Sequence, residues 1–242
     1  MKVKLTITFL LISILLVSFN INANAISTGF ETETINEEQT EKVLNNLNFS
    51  AISSEKSFHS IPCFDISDDG LIAIGVDGNS DKYINIYDEN GIFQYGYSFN
   101  TSGTFGVEFD NDNLIVYLVR SDLAVLIDRE GKCLSIESIS NTIDNNTYWN
   151  HSVFARVKEH NGDKYYRTNE NLFLKIFSPS YSQLVKISPD GTKTIIFDKS
   201  LEYTVIIIVG IILIIIFFAI LITQLVKLFK KSENIQASTK NN

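Results

Sequence analysis

Short apolar runs separated by polar turns dominate the middle of the chain. From Ile61 onward, these runs alternate with turns that are rich in Asp, Asn and Gly. Segments such as Ile84–Tyr87 alternate apolar and polar residues, which is the period of a β-strand with one buried face. Runs of this kind between Asp/Gly turns are typical of consecutive antiparallel strands. The pattern therefore predicts a mainly β domain over residues 62–203.

The predicted strands also form a sequence repeat. A strand, an acidic turn closed by glycine and a second strand recur, and the closing glycines Gly91 and Gly131 lie 40 residues apart. Glycine supplies the positive φ that a tight hairpin turn requires. The copies comprise Phe64–Gly91, Val107–Gly131 and, more loosely, Asn171–Gly191. The strands expected after the turns are Ile92–Tyr95, Lys132–Ile136 and Thr192–Phe197. Ser138–Lys164 interrupts the series, either as a degenerate copy or as an inserted loop.

This repeat resembles the blades of NHL-type and related six-bladed β-propellers over Pro62–Asp198. The resemblance implies antiparallel blades that form a binding scaffold, and it brings no catalytic residues with it. Six blades need roughly 240 residues, whereas Ile26–Tyr203 provides 178. The expected fold is therefore a small or incomplete propeller. The alternative is an ordinary antiparallel sheet or sandwich whose hairpins are similar by chance.

Two long apolar runs lie outside the repeats. Val205–Val226 carries no charge, and as a helix its 22 residues extend about 33 Å, enough to cross a bilayer core of roughly 30 Å. The run Leu5–Phe19 follows a basic start and precedes the small-residue pattern Ala23-Asn24-Ala25. This layout predicts a signal peptide over residues 1–25 that is cleaved after Ala25. The alternative is an uncleaved anchor, which would give the protein two spans.

Charge predicts how the span is oriented. Lysines 227, 230 and 231 follow the span directly, and such basic residues stay on the cytoplasmic side. We expect residues 26–203 outside the cell membrane, a transmembrane helix over 204–226 and a cytoplasmic tail over 227–242. Residues 26–61 form an acidic leader, in which the capping-box pattern Thr34–Glu37 predicts a short helix at about 35–47. A disordered leader is the alternative.

The net charge of −8 limits the choice of partners. Proteins that bind nucleic acid present basic patches, so we expect no nucleic-acid partner. The expected partners are the lipid bilayer, through Val205–Val226, and another surface or membrane protein. The high content of Ile, Asn and Lys is typical of AT-rich bacterial genomes.

The sequence contains few signals of catalytic chemistry. It has no Gly-x-Ser-x-Gly elbow, no His-Glu-x-x-His pair and no Gly-rich nucleotide loop. We therefore predict no catalytic, cofactor-binding or metal-binding residues and no cofactor. The acidic segments Asp77–Asp81 and Asp110–Asn113 vaguely resemble calcium loops, but Asx turns explain them more simply. Cys63 and Cys133 either form a disulfide or remain two thiols.

These observations favour a non-enzymatic function. The expected protein is a single-pass membrane-anchored module whose exterior β domain binds a ligand or serves as a scaffold. One alternative is an exterior hydrolase acting on carbohydrate or peptide, because catalytic carboxylates are assembled from positions that are distant in sequence. Another is an accessory subunit of a membrane complex.

Overall fold

The computed structural model describes residues 26–57, 60–77, 81–178 and 180–240, with side chains up to residue 227. The predicted signal peptide and His59 lie outside the described residues. The strands in chain order are β1 (Thr32–Thr34), β2 (Ser50–Ile52), β3 (Phe64–Ile66), β4 (Ile72–Asp77), β5 (Asp81–Tyr87), β6 (Phe93–Asn100), β7 (Phe105–Asp110), β8 (Asn113–Leu118), β9 (Leu123–Ile127), β10 (Cys133–Ile139), β11 (Val157–His160), β12 (Asp163–Thr168), β13 (Gln183–Ile187) and β14 (Lys193–Asp198). The helices are α1 (Glu37–Leu47), α2 (Ile143–Tyr148), α3 (Leu172–Phe177) and α4 (Ser200–Lys240), with a π-helical turn at Trp149–Val153.

The strands form three antiparallel sheets. Sheet 1 has the order β2-β6-β5-β4-β3, sheet 2 the order β1-β10-β9-β8-β7, and sheet 3 the order β11-β12-β13-β14. Each sheet is thus built on four strands that are consecutive in the chain; hairpins join them in sheets 1 and 2, whereas in sheet 3 the helix α3 lies between β12 and β13. Two short strands from the N-terminal part extend sheets 1 and 2 by one strand each. The prediction of a mainly β fold with antiparallel sheets is confirmed.

Sheet 1 lies between the other two sheets because its strands are apolar on both faces. Ile72 and Ile74 on β4 belong to an apolar cluster with Leu184 of sheet 3, whereas the intervening Ala73 belongs to a cluster with Val116 of sheet 2. A third apolar cluster covers the other face of sheet 2, where the N-terminal segment and the region around the π-helical turn pack. The core therefore consists of three apolar layers, one for each packed face.

The first strands of the three sheets come together at β3. The carboxylate of Asp65 on β3 accepts a hydrogen bond of 2.7 Å from the backbone N–H of Phe109 on β7. The other oxygen of the same carboxylate lies 2.8 Å from Nζ of Lys158 on β11. One side chain therefore joins all three sheets.

The hairpin turns of two sheets pack in a similar way on the next sheet. Gly131, in the β9–β10 turn of sheet 2, has a positive φ of 81°, and an added Cβ would lie 3.3 Å from the backbone nitrogen of Ala51 in sheet 1. Gly91, in the β5–β6 turn of sheet 1, has a φ of 77°, and its Cβ would lie 3.0 Å from the carbonyl oxygen of Ile196 in sheet 3. Both turns thus need glycine for conformation and for close approach.

Two features of the N-terminal part differ from the sequence expectations. The helix begins later than predicted, at Glu37, and its N-cap is Asn36, whose side chain accepts a hydrogen bond of 2.8 Å from the N–H of Gln39. Thr34, which the capping-box pattern placed at the cap, lies in β1 instead. The acidic leader is also not separate from the β domain, because its strands β1 and β2 pair with β10 and β6.

The third repeat also differs from the prediction. The run that begins at Asn171 was expected to be a strand but forms α3, because the Asn171 side chain accepts a hydrogen bond of 2.8 Å from the N–H of Phe173 and caps a helix. The first two strands of sheet 3 come from the predicted interruption and the residues directly after it, and they meet at the turn that contains Asn161 and Gly162. The expected strands after the three acidic turns are present as β6, β10 and β14.

The apolar helix α4 directly follows β14. Its part Ser200–Lys227 is long and apolar enough to cross a membrane, and an 18-residue window within it has a mean hydropathy of 3.8. The Asp198 carboxylate accepts hydrogen bonds from the N–H of Ser200 at 2.9 Å and from Nε2 of Gln183 at 3.0 Å. The N–H of Lys199 donates to the carbonyl of Ser182 at 3.0 Å. These bonds fix the start of the helix to the end of sheet 3.

Candidate functional site

A pocket of about 530 Å³ lies between sheets 1 and 2, at the end where their hairpin turns project. The apolar residues of its lining are Leu71 and Phe109, and Tyr95 contributes an aromatic ring. The charged residues of the lining are Asp68, Asp69, Asp112 and Arg129, and the remaining lining residues are Ser67 and Asn111. The pocket therefore combines an apolar part with three carboxylates and one guanidinium group.

Local turn chemistry positions the three loops of the pocket. In the β3–β4 turn, the Ser67 hydroxyl accepts a hydrogen bond of 2.9 Å from the N–H of Leu71, which leaves the two intervening aspartates exposed. In the β7–β8 turn, Asn111 adopts a positive φ of 53°, a conformation that asparagine tolerates. In the β9–β10 turn, the Asp128 carboxylate accepts hydrogen bonds from the N–H groups of Glu130 and Lys132. Arg129 projects from this last turn.

Arg129 and Tyr95 form the most specific contact in the pocket. The guanidinium carbon of Arg129 lies 5.0 Å from the centre of the Tyr95 ring, within the range of a cation–π interaction. The Tyr95 ring also packs edge-on against Tyr97, whose hydroxyl donates to the carbonyl of Asp128 at 3.2 Å. Burial raises the pKa of Tyr95, the Arg129 charge partly opposes this shift, and Asp112 adds to it. Tyr95 is therefore a neutral aromatic surface beside the carboxylates.

A second polar cluster serves to hold the structure together. Glu108 accepts hydrogen bonds from the hydroxyls of Tyr117 and Tyr148, the latter at 2.5 Å, and the Tyr117 hydroxyl lies 2.6 Å from Oγ1 of Thr28. Burial and the nearby Glu108 charge raise the pKa of both tyrosines above its usual range. The cluster connects sheet 2 with α2 and the N-terminal segment, and each tyrosine hydroxyl already forms a hydrogen bond within it.

The sequence predicted no catalytic, metal or cofactor residues, and this stays a prediction. Within the described residues, no group of three or more His, Cys, Asp and Glu side chains is arranged to hold a metal ion. The segment Asp110–Asn113 forms the β7–β8 turn, and the Asp110 carboxylate accepts a hydrogen bond from the N–H of Ser27. His151 lies in the π-helical turn and His160 at the end of β11.

The two cysteines are free thiols, which settles the alternative left open by the sequence. Cys63 is fully buried, and burial raises its pKa to about 12. Cys133 is half-buried, and burial raises its pKa to about 11. Both groups are thus overwhelmingly protonated at neutral pH, whereas a nucleophilic cysteine needs a thiolate.

Sequence reasoning missed the pocket itself. Its lining comes from residues 67–71, 95, 109–112 and 129, which only the packing of sheet 1 on sheet 2 brings together. The turn Asp68–Gly70 is acidic in sequence, but nothing in the sequence pairs it with Arg129. No family model matches the chain, and no curated protein or solved structure matches it.

Proposed function

We propose that this protein is a single-pass membrane-anchored binding module that recognises a basic segment of another surface protein at the pocket between sheets 1 and 2. The three sheets act as blades of a small propeller-like domain outside the cell, α4 crosses the membrane, and residues 227–242 lie in the cytoplasm. The observation that carries the proposal is the pocket of about 530 Å³, in which three exposed carboxylates surround one aromatic–arginine pair.

The chemistry of the pocket favours a cationic ligand. Asp68, Asp69 and Asp112 outnumber Arg129, so the local field attracts positive charge, and the net charge of −8 adds to this attraction. The aliphatic stem of a lysine or arginine can pack on Leu71 and Phe109 while its charged end stays among the carboxylates. The lining already holds one guanidinium group over an aromatic ring, which is the contact that a ligand arginine would seek.

The packing of the sheets supports the propeller-like arrangement. The turn at Gly131 packs on sheet 1 as the turn at Gly91 packs on sheet 3, and the repeated relation is what neighbouring blades of a propeller have. The first strand of sheet 1 contacts the first strands of sheets 2 and 3, as innermost strands do in such a fold.

A binding experiment on the full chain in nanodiscs tests the ligand class. The probe is a fluorescent Lys/Arg-rich peptide, and a Glu-rich peptide of equal length is its counterpart. We expect the basic peptide to bind more tightly and its affinity to fall with salt. Each exposed charge contributes about 0.2–1 kcal/mol, so the double variant Asp68→Asn/Asp112→Asn should bind about 2- to 30-fold more weakly.

The matched control is Asp144→Asn, since Asp144 is an equally exposed carboxylate at the start of α2 and does not line the pocket. If both variants bind alike, or if the acidic peptide binds as well as the basic one, the pocket is not a cation-binding site. Hydrolysis of a peptide or glycoside that is lost when one pocket carboxylate is changed would favour the exterior hydrolase instead.

A topology experiment tests the membrane arrangement independently. Protease added to intact cells should digest residues 26–203 and leave the tail intact, because Lys227 and the lysines after it hold the C-terminal end of the span inside. Protection of the β domain in intact cells, with digestion only after lysis, would contradict the orientation.

A further inference from the structure

The backbone nitrogen of Ile26 lies at a buried carboxylate. It donates a hydrogen bond of 3.2 Å to Oε1 of Glu137, while the hydroxyl of Thr32 donates to Oε2 at 2.5 Å. Ile26 is 8% exposed and Glu137 is 7% exposed. An ionised carboxylate at such a depth is costly unless a positive charge pairs with it. Within the described part of the chain, no lysine, arginine or histidine forms a salt bridge with Glu137.

The sequence places a cleavage site directly before this nitrogen, since Ala23-Asn24-Ala25 predicts cleavage between Ala25 and Ile26. We propose that this cleavage completes the fold: it converts the amide nitrogen of Ile26 into an α-ammonium group that forms a buried ion pair with Glu137. The inference rests on the signal peptide that delivers the β domain to the outside in the proposed function.

The chemical step is a hydrolysis by a secretory signal peptidase. Water adds across the peptide bond, the carbonyl carbon of Ala25 takes the hydroxyl, and the nitrogen of Ile26 takes the hydrogen. At neutral pH the new carboxylic acid releases a proton and the new amine binds one, since an α-amino group has a pKa of about 7.7–8.0. The positive charge thus arises at the atom that already lies within hydrogen-bond distance of Glu137.

The neighbouring residues hold the new terminus in place without the signal peptide. The N–H of Ser27 donates to the Asp110 carboxylate at 3.1 Å. The ring of Phe30 packs edge-on against Tyr117 at 5.0 Å and against Tyr148 at 4.6 Å. The N-terminal segment is therefore positioned by sheet 2 and α2, so that the ammonium group needs little reorganisation to pair with its carboxylate.

Thermal unfolding of the full chain in detergent tests whether Glu137 stabilises the fold only after cleavage of the signal peptide. The variant Glu137→Gln is measured in the processed chain and in a chain kept unprocessed by Ala23→Leu/Ala25→Leu. We expect Glu137→Gln to lower the unfolding midpoint of the processed chain by about 5 °C or more, and that of the unprocessed chain by clearly less. Glu33→Gln is the matched control, because Glu33 is exposed on β1 and its loss should leave both midpoints unchanged.

Chemical labelling gives a second measurement that does not depend on stability. Reductive methylation of the native chain should modify the Ile26 amine about tenfold more slowly than exposed lysines, because an ammonium group buried in an ion pair is shielded from the reagent. Unfolding should abolish the difference. Three results would overturn the proposal: a first residue other than Ile26, equal labelling of the amine and the lysines, or an equal effect of Glu137→Gln on both chains. None of these three results would change peptide binding at the pocket. Failure of this proposal can therefore be distinguished from failure of the proposed binding function.

A different observation concerns α3, whose exposed surface is apolar. Leu172, Ile176 and Phe177 are 70%, 65% and 55% exposed, whereas Leu174 is fully buried and fixes the helix to the domain. At 100° per residue, positions 172, 173, 176 and 177 occupy one side of the helix. In a soluble domain such a patch would be left in contact with water.

The position of α3 identifies what covers this patch. The helix contacts α4, and Nδ2 of Asn171 lies 3.5 Å from Oγ1 of Thr204 in the first turns of the apolar helix. Leu201, which is 76% exposed, continues the apolar surface into α4. We infer that α3 lies in the lipid headgroup region beside the span, with its apolar side in the outer leaflet. This inference also rests on the membrane anchoring in the proposed function.

Quenching of tryptophan fluorescence by brominated lipid tests the contact in nanodiscs. Trp149 is the only tryptophan and is first replaced by phenylalanine, after which Phe177→Trp reports on α3. We expect strong quenching by lipid that is brominated near the headgroups. Ile143→Trp is the matched control, because Ile143 is also apolar and 84% exposed but begins α2, which packs on sheet 2. Equal quenching at the two positions would overturn the inference, while Leu221→Trp reports separately on whether α4 is in the bilayer.

Discussion

The carboxylate of Asp65 and the ammonium group of Lys158 form an ion pair of 2.8 Å that joins sheet 1 to sheet 3, and the two side chains are only 13% and 14% exposed. Because the same carboxylate also accepts the N–H of Phe109 in sheet 2, its charge is stabilised from two directions. The pair therefore holds together the point at which the first strands of all three sheets meet.

Asp65→Asn should lower the free energy of unfolding by about 3 kcal/mol, because it leaves the Lys158 ammonium group buried without its partner. Urea unfolding of the full chain in detergent, followed by Trp149 fluorescence, measures the change. Glu159→Gln is the control on the same strand as Lys158: its pair with Lys164 spans 3.0 Å, but both side chains are more than half exposed. That pair should contribute less than about 1 kcal/mol.

The double variant Asp65→Asn/Lys158→Met should recover part of the lost stability, since it removes the unpaired charge as well. If Asp65→Asn is no worse than Glu159→Gln, the pair does not stabilise the junction.

Arg167→Lys should increase local unfolding of the segments that lead into β3 and β11. The Arg167 guanidinium group donates to the carbonyls of Ile61, Pro62, Phe154 and Ala155, and one ammonium group cannot span these four acceptors. Each buried carbonyl that loses its hydrogen bond lowers the stability by about 1–3 kcal/mol. Hydrogen exchange followed by mass spectrometry should show lost protection around residues 61–64 and 154–157.

The control for this prediction is Arg120→Lys. Arg120 is exposed, and its NH1 lies 3.5 Å from the hydroxyl of Ser102, so exchange should be unchanged throughout. Unaltered exchange in Arg167→Lys would mean that the guanidinium group does not fix these segments.

The reactivity of the thiols should follow their raised pKa values. A group with a pKa of about 11 has about 0.1% thiolate at pH 8, so Cys133 should react with iodoacetamide about a hundredfold more slowly than a thiol with the usual value of 9.0. Its rate should rise with pH until the pH passes about 11. Cys63, with a pKa of about 12 and no exposed surface, should react only after unfolding. Failure to label either cysteine in the unfolded, unreduced chain would reveal a disulfide.

Charge placed in the middle of α4 should release the protein from the membrane. Ile214→Arg/Phe217→Arg adds about 2.5–3.5 kcal/mol per arginine on insertion scales, whereas Ile214→Leu/Phe217→Leu leaves the span apolar. Fractionation after a carbonate wash should find the arginine variant in the soluble fraction and the leucine variant in the membrane. Retention of both would indicate a second anchor, for which the N-terminal run Leu5–Phe19 is the candidate.

The hairpins could be predicted because their chemistry is local. In the β5–β6 turn, the Asp88 carboxylate accepts hydrogen bonds from the N–H groups of Asn90 and Ile92, and Gly91 supplies the positive φ. All the residues that make this turn lie within five positions, so their spacing alone identifies it. The same holds for the turns before β10 and β14.

The start of sheet 3 was missed although a signal was present. Asn161 and Gly162 have φ values of 49° and 85°, and an Asn-Gly pair between two strands is a strong hairpin signal. The flanking strands are polar in sequence, although half of β12 is buried, so they lack the apolar alternation that identifies the others. The apolar run after Asn171 does not alternate and follows a helix cap, which explains why it forms a helix and not the predicted strand.

The remaining features depend on contacts between distant parts of the chain. The pairing of Ile26 with Glu137 joins residues 111 positions apart, and the contact of Asp65 with Lys158 joins residues 93 positions apart. Neither pair has a spacing or motif that a single sequence displays. These contacts form only when the sheets pack on one another, and that packing depends on the apolar surfaces of many strands at once.

The attachment of α4 to β14 determines how the domain responds to mechanical load. β14 lies at the edge of sheet 3, and its last residue, Asp198, is paired with Gln183 at the end that leads into the apolar helix. In the proposed membrane-anchored arrangement, tension between a bound ligand and the span would therefore reach this pair first and separate β14 from β13 from that end. The Gln183–Asp198 and Lys199–Ser182 bonds are the first to resist such a force.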